Sequence, residues 1–284
     1  MRIDEMMAQG KPLFSFEFFP PKTPAGERSL FSNLASLKEL GPAFVSVTCG
    51  AGGSTKGQTV DLARRIRDEV GLEAVVHMTC LGVPRDDLVS SVRQVKDAGL
   101  KNILALRGDA PAPVEGACHA ADLVALVREV YPEACILGAC YPEGHTEAAS
   151  KQDDLTHLKR KVDAGVDVLV SQLFFDNRHY FEFVGRARTI GVGVPVLPGI
   201  MPIQNADQVK RFTGMCGATV PLHLQGLLDQ YKVSDAATFY IGVAHAVSQC
   251  KELLASGAPG VHFYTLNKSP ATRLVVEALR RELA

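Results

Sequence analysis

A strong charge of either sign is the first thing missing from this sequence. Its 30 Lys and Arg against 31 Asp and Glu leave a formal net charge of −1 over 284 residues. That removes the usual electrostatic footing for nucleic acid or an anionic membrane surface as a partner. No apolar run approaches the roughly 20 residues of a spanning helix. The opening decapeptide carries Asp4 and Glu5 where a secretory leader has an apolar centre, so the expectation is a cytoplasmic chain. Cysteine is present but unorganised: seven residues, with no Cys-x-x-Cys pair. A disulfide framework is therefore not expected, and most of the thiols sit in apolar segments, where cysteine acts as a small hydrophobe. No His-Glu-x-x-His arrangement and no His/Cys cluster with zinc spacing occurs, so no metal is expected. Repeats, low-complexity tracts and linker-like segments are lacking too.

What the chain does have is alternation. Short apolar runs, starting with one at Leu13 and continuing at 44–49, 74–80, 102–107, 135–141, 168–174, 195–200 and 260–266, read as strands. Between them lie amphipathic stretches at about 25–39, 57–70, 84–98, 119–130, 150–164, 178–190 and 204–213, with a last one at 270–283. Their ends are punctuated by Val83-Pro84 and Ser269-Pro270 at starts and by Gly41, Gly71, Gly99 and Gly165 just past ends. Strands alternating with helices imply parallel pairing through right-handed crossovers, and eight such units fit a closed (β/α)8 TIM barrel. The rival, an open doubly wound sheet, advertises a Gly-x-Gly-x-x-Gly turn after its first strand, and none is there. Gly50-Ala51-Gly52-Gly53 follows the second strand and lacks the third glycine. About 45 residues precede the last strand and read as two extra helices, near 221–230 and 234–256, extending the seventh unit. The reading is one catalytic barrel domain over 1–284, with no regulatory domain.

In a barrel of this kind the loops after the strands build the site. Alternation on the first strand puts Phe14, Phe16 and Phe18 on one face and Leu13, Ser15, Glu17 and Phe19 on the other. A carboxylate in such apolar company is costly to bury ionised, so Glu17 either has a cationic partner or an upward-shifted pKa. Thr23-Pro24 then reads as a helix cap followed by proline at the first helical position. The other strand ends supply Thr48, His77, Arg107-Gly108-Asp109, Tyr141 to His145, Gln172 and Thr265 to Lys268. Parity groups Ser15 with Glu17, Ser46 with Thr48, Ala105 with Arg107 and Asp109, and Val168 and Val170 with Gln172. Several polar groups converging on one mouth suggest a site.

These residues carry a resemblance. Ser-Phe-Glu-Phe-Phe-Pro-Pro-Lys-Thr (15–23), Val-Thr-Cys-Gly-Ala-Gly-Gly-Ser (47–54), Leu-Arg-Gly-Asp (106–109), Gln-Leu-Phe-Phe-Asp (172–176), Pro-Gly-Ile-Met-Pro (198–202) and His-Phe-Tyr-Thr-Leu-Asn (262–267) resemble the methylenetetrahydrofolate reductase family, in the same order, from about residue 11 to 284. The resemblance implies a TIM-barrel flavoenzyme of the short bacterial form. Such an enzyme binds FAD non-covalently and uses NADH or NADPH to convert 5,10-methylenetetrahydrofolate to 5-methyltetrahydrofolate in one-carbon metabolism and methionine biosynthesis. The two substrates are expected to alternate in one site; a homo-oligomer is the expectation, with the sequence leaving the oligomeric state open.

By position, Glu17 resembles the family's general acid and Asp109 the acid that contacts the pterin near the flavin; both are assigned catalytic roles. Gln172, Phe212, Thr48, Leu266 and Lys268 match substrate-binding positions. Thr48, His77, Leu106, Arg107, Gly108, Asp109, Tyr141, His145, Asp154, His157 and Lys161 match FAD positions. Plainer readings stand beside these. Asp109 is placed to cap a helix before Ala110-Pro111, Phe212 to pack a helix core face, His77 to be a core histidine, and Lys161 to sit in a solvated charge run. Two departures are visible: Cys49 stands where the family has an aromatic beside the flavin, and Lys268 where it has arginine, whose fork a lysine does not reproduce. Rival functions are a Schiff-base aldolase, which needs a lysine inside a strand and finds none, a pterin-dependent transferase, and a flavin- or folate-binding barrel without catalysis.

Overall fold

A computed structural model describes residues 1–49, 56–109, 118–268 and 270–283. The strands are β1 (Leu13–Phe18), β2 (Phe44–Val47), β3 (Ala74–Thr79), β4 (Asn102–Leu106), β5 (Cys135–Cys140), β6 (Val168–Ser171), β7 (Val196–Leu197), β8 (Gly199–Ile200) and β9 (Gly260–Tyr264). All their pairings are parallel, in the order β7-β6-β5-β4-β3-β2-β1-β9-β8. The stretch read as one strand at 195–200 is thus two. Val196 pairs with Leu169 of β6, and Gly199 pairs with His262 of β9. Pro198 between them has no N–H to give to a ladder, but its carbonyl accepts from His262 N–H at 2.9 Å. One short stretch of chain therefore bridges both ends of the sheet, and the ring closes into the (β/α)8 barrel. At this seam a Cβ on Gly199 would lie 2.2 Å from the Ser171 carbonyl oxygen, so only glycine fits.

Helices flank the ring in sequence order: α2 (Pro24–Lys38), α3 (Lys56–Arg65), α4 (Arg85–Asp97), α5 (Ala120–Val130), α6 (Lys151–Asp163), α7 (Asn177–Thr189), α8 (Ala206–Cys216), α9 (Leu222–Tyr231), α10 (Asp235–Ala255) and α11 (Pro270–Leu283). Thr23 caps α2 as expected, its hydroxyl accepting from Gly26 N–H at 3.0 Å. The two extra helices before the last strand are present as α9 and α10. Helix α3 runs on into a π turn, Ile66–Val70, and stops at Gly71 with φ 75°. A five-residue helix that the periodicity did not foretell, α1 (Ile3–Met7), seals the bottom of the barrel. Its Ile3 is buried against Phe44, Val75, Leu104 and Leu137, and its N–H donates to Asn102 Oδ1 at 3.0 Å.

Strand alternation sorts the core into two shells. Phe14, Phe16, Phe18 and Phe263 point outward to the helices, while Phe44, Val75, Leu137, Val168 and Leu197 fill the ring. Each fully buried phenylalanine contributes roughly 1.5–3 kcal/mol. One expectation holds here and one changes. The pleat turns the phenylalanines of the opening strand to the helices and the Glu17 carboxylate inward, as alternation requires. On β4 the parity is opposite to that read from the sequence: Ala105 joins the outer shell, and Leu104 packs inside. Arg107 and Asp109 reach the mouth from beyond the strand, where Gly108 (φ 91°) redirects the chain. No helix among the described residues is long and apolar enough to cross a membrane.

Candidate active site

The C-terminal mouth of the ring opens into a cavity of about 720 Å³, well within the range of small-molecule sites. The structure brings together in its wall Glu17, Thr48, His77, Leu106, Arg107, Gly108, Asp109, Tyr141, His145, Gln172, Phe212 and Leu266. Four residues matched to the site lie elsewhere. Asp154 adjoins Tyr141 in a narrow crevice, and His157 is exposed on α6. Lys161 passes behind β5, where its Nζ donates to the Ala139 carbonyl and burial lowers its pKa. Lys268 is exposed past the end of β9. The glycine-rich segment from Gly50 to Ser54 and the Ala110-Pro111 pair fall outside the described residues.

Glu17 stands on the cavity floor, 8% exposed. Its Oε2 lies 3.5 Å from His77 Nε2 and 3.5 Å from His262 Nε2. On its far side, His262 Nδ1 lies 2.8 Å from Ser15 Oγ, and Ser46 Oγ approaches His262 Nε2 at 3.5 Å. All five residues occupy inward positions of adjoining strands β9, β1, β2 and β3. Burial is the largest influence on the Glu17 carboxyl and pushes its pKa up. The hydrogen bond from His262, the charges of His77 and His262, and a bond from Ser46 outweigh it, so the net direction is down. Burial also drives the His77 pKa to about 4, which leaves that ring neutral near pH 7. The hydrogen bonds from His262 and Ser46 are then what hold the carboxylate. Of the alternatives left by the sequence, Glu17 therefore has partners, and they are histidines instead of Arg or Lys.

His77 Nε2 is buried without a hydrogen-bond partner, although its ring borders the cavity. Buried polar atoms are rarely left so, and the 3.5 Å approach of His77 Nε2 to Glu17 Oε2 makes no hydrogen bond. Gln172 is pinned by its amide oxygen, which accepts from Leu173 N–H at 2.9 Å, so its NH2 remains as the donor for a ligand. Tyr141 and His145 meet edge to face with centroids 4.6 Å apart. The Arg107 guanidinium is engaged by both oxygens of Glu147, at 2.6 and 2.8 Å. A diphosphate there would compete with an exposed carboxylate, and such ion pairs are weak. Cys49 contributes a thiol to the wall, and Phe212 approaches from α8.

Sequence reasoning missed His262, Glu147 and Tyr264. Tyr264 lines the cavity, with its hydroxyl donating to the Ser171 carbonyl at 2.7 Å. The signal for His262 was there: it shares inward parity with Tyr264 on a strand that must neighbour the first one if the ring closes. No strand among the described residues contains lysine, which removes the Schiff-base reading.

Comparison with known proteins agrees with this geometry. An uncharacterised protein from Clostridium thermocellum, described as binding two copies of 5-methyl-5,6,7,8-tetrahydrofolic acid, superposes with TM-score 0.68 at 11% identity, covering 99% of this chain and 98% of that one. A phosphonopyruvate hydrolase superposes with TM-score 0.54 at 14% identity, covering 99% and 85%. At such identities the two structures speak for the barrel alone. In sequence, methylenetetrahydrofolate reductase (NADH) 1 of Arabidopsis thaliana is 39% identical over 284 residues, which is 94% of this chain but 48% of that protein. The chain thus spans about half the length of its plant relatives. The 5,10-methylenetetrahydrofolate reductase of Escherichia coli strain K12 is 38% identical over 273 residues, covering 95% of this chain and 92% of that protein. The profile of the family described as methylenetetrahydrofolate reductase matches residues 2–280. With a buried carboxylate at the mouth of a closed barrel and a family match from end to end, the chain belongs to the methylenetetrahydrofolate reductase family.

Proposed function

We propose that this chain reduces 5,10-methylenetetrahydrofolate to 5-methyltetrahydrofolate with NADH or NADPH, using bound FAD and admitting its two substrates in turn. The observation that carries the reading is Glu17, a buried acid on the floor of a cavity large enough for stacked ring systems. The names of the plant relatives favour NADH. The reading carries with it a cytoplasmic homo-oligomer, which sedimentation and fractionation test.

The cavity suits a flavin. It offers an orphaned ring nitrogen at His77, a guanidinium at Arg107, and a tight turn at Gly108, where a Cβ would lie 3.1 Å from Thr79 Cβ. Thr48, Leu106, Asp109, Tyr141 and His145 would complete the contact, with Asp154, His157 and Lys161 serving the more distant part of the cofactor. When bound, FAD supplies the two-electron relay between nicotinamide and folate.

The protein's own residues supply position and protons. Opening the methylene bridge leaves a developing amine that needs a proton, and Glu17 is the acid on the cavity floor. Its protein partners alone poise it as a carboxylate. A folate ring closing over it excludes water, and the loss of hydration pushes its pKa up toward the proton-holding state. Ser15 and His262 fix the orientation of that carboxyl from behind. Asp109, at the rim, orients the pterin. Gln172 donates from its NH2 to whichever ring occupies the cavity, and Phe212 and Leu266 pack against its faces. Lys268 adds a point charge outside the mouth for the folate tail.

The test is an anaerobic assay of the separate half-reactions. Glu17→Gln should lower folate reduction by about 10²–10⁴-fold, the range of general acid catalysis, with a far smaller effect on flavin reduction by NADH. Full folate turnover in that variant would remove the acid assignment, and purified protein without a flavin spectrum would remove FAD.

A further inference from the structure

The backbone ladder between β1 and β9 ends at the pair Glu17–Tyr264, yet the two chains stay joined beyond it. Side chains continue the ladder. Thr265 Oγ1 donates to the Glu17 carbonyl at 2.6 Å. Asn267 brackets Phe19, its Oδ1 accepting from Phe19 N–H at 2.7 Å and its Nδ2 donating to the Phe19 carbonyl at 2.9 Å. A carboxamide presents a donor and an acceptor side by side, as a strand residue does. Asn267 is itself held, its N–H donating to Thr265 Oγ1 at 3.2 Å and its carbonyl accepting from Asn33 Nδ2 of α2 at 2.8 Å.

Bringing that amide into place requires a left-handed turn: Leu266 has φ 52° and Asn267 φ 60°. Asparagine tolerates this region, whereas leucine is strained there, and such strain persists only where surroundings enforce it. The two side chains the turn controls, Leu266 and Phe19, both line the cavity beside Glu17.

We infer that Thr265 and Asn267 are positioning residues for folate reduction: a side-chain strap that fixes the end of β1, and with it the Glu17 carboxyl and the flanking Phe19 and Leu266 walls, against the bound folate. The inference rests on the function proposed above. Neither residue touches the reacting atoms. Their influence is transmitted through the pinned Glu17 carbonyl, because any rotation of that peptide moves the carboxyl relative to His262. Misplacement of a catalytic group by about 1 Å costs on the order of 10²-fold.

The test uses the FAD-loaded protein and single-turnover folate reduction across a pH series. Asn267→Gly keeps the left-handed backbone and deletes the bracket; Thr265→Val keeps the shape and deletes the hydroxyl. Each should slow the limiting folate step by about tenfold or more and displace its pH midpoint, with Thr265→Ser restoring the rate to within about twofold. The 13C resonance of the Glu17 carboxyl should change its titration midpoint in the same variants. Lowered melting temperatures with parental rates and midpoints would make the strap merely structural and overturn the proposal. Should these variants not fold, Asn267→Asp, which keeps the turn but replaces the Nδ2 donor with a charged oxygen facing the Phe19 carbonyl, carries the test: its folate rate must fall, and a parental rate overturns the proposal. A parent protein that does not reduce methylenetetrahydrofolate would instead overturn the proposed function, a result distinct from active parent and unaffected variants.

Discussion

The two ends of the barrel are built to opposite rules. At the bottom, α1 closes the ring and every polar demand of Asn102 is met: its Oδ1 accepts from Ile3, and its Nδ2 donates to the Met1 carbonyl and to Glu73 at 3.1 Å each. Arg128 and Asp167 tie neighbouring chain segments there by an ion pair, and Asp167 also accepts from Ile136 N–H. At the top, the buried side-chain atoms left without partners among the described residues are His77 Nε2, Asn177 Oδ1 and Gln208 Nε2, all near strand ends or the starts of the helices that follow. The two non-glycine residues in left-handed conformation among the described residues, Leu266 and Asn267, are also there. The lesson is a division of labour: one end is saturated for stability, and the other keeps strain and unsatisfied groups, of which His77 borders the cavity.

That contrast can be broken by substitution. The largest effect expected is on chemistry, where Glu17→Gln costs about 10²–10⁴-fold in folate turnover while urea unfolding stays close to the parent. Phe16→Ala, in the outer shell, should do the reverse, losing about 3–5 kcal/mol in a urea melt, with folate turnover per folded molecule retained. Asn102→Ala should cost about 1–3 kcal/mol, because it orphans buried partners at the bottom, and leave the Michaelis constants alone. The last effect expected is a pH dependence. The folded His77 pKa of about 4 lies below its ordinary value, so between about 6.5 and 4 the unfolded chain binds the extra proton. Stability is therefore fully present above that window and falls as pH drops through it. Glu17, also held low, adds loss in the same direction. His77→Phe should flatten this limb of the stability curve, as read by melts at a series of pH values.

Much of this was legible beforehand because it is local. The run from Leu13 to Phe19 alternates, so the inward position of Glu17 follows from two-residue periodicity alone. The helix after Thr23-Pro24 follows from cap chemistry. What could be read only by way of the ring is what closure creates. Ser15 and His262 are 247 residues apart in sequence and 2.8 Å apart in space, and nothing nearer than the ring itself joins them. On β4, parity counted back from Arg107 failed because Gly108 turns the chain after the strand ends, so the polar triplet was not an extension of the ladder. Helix α1 was invisible since five residues give no period to detect.

The seam at Pro198 sets a limit on how this architecture can vary. With β7 and β8 each contributing two residues, the hoop is fastened by a clasp with no slack, and Gly199 leaves room there for nothing larger than a hydrogen atom. Any chain of this design that grew a side chain at that point would have to surrender either the Tyr264 phenol beneath it or the circularity of the sheet, and the pocket's outline would change with the choice.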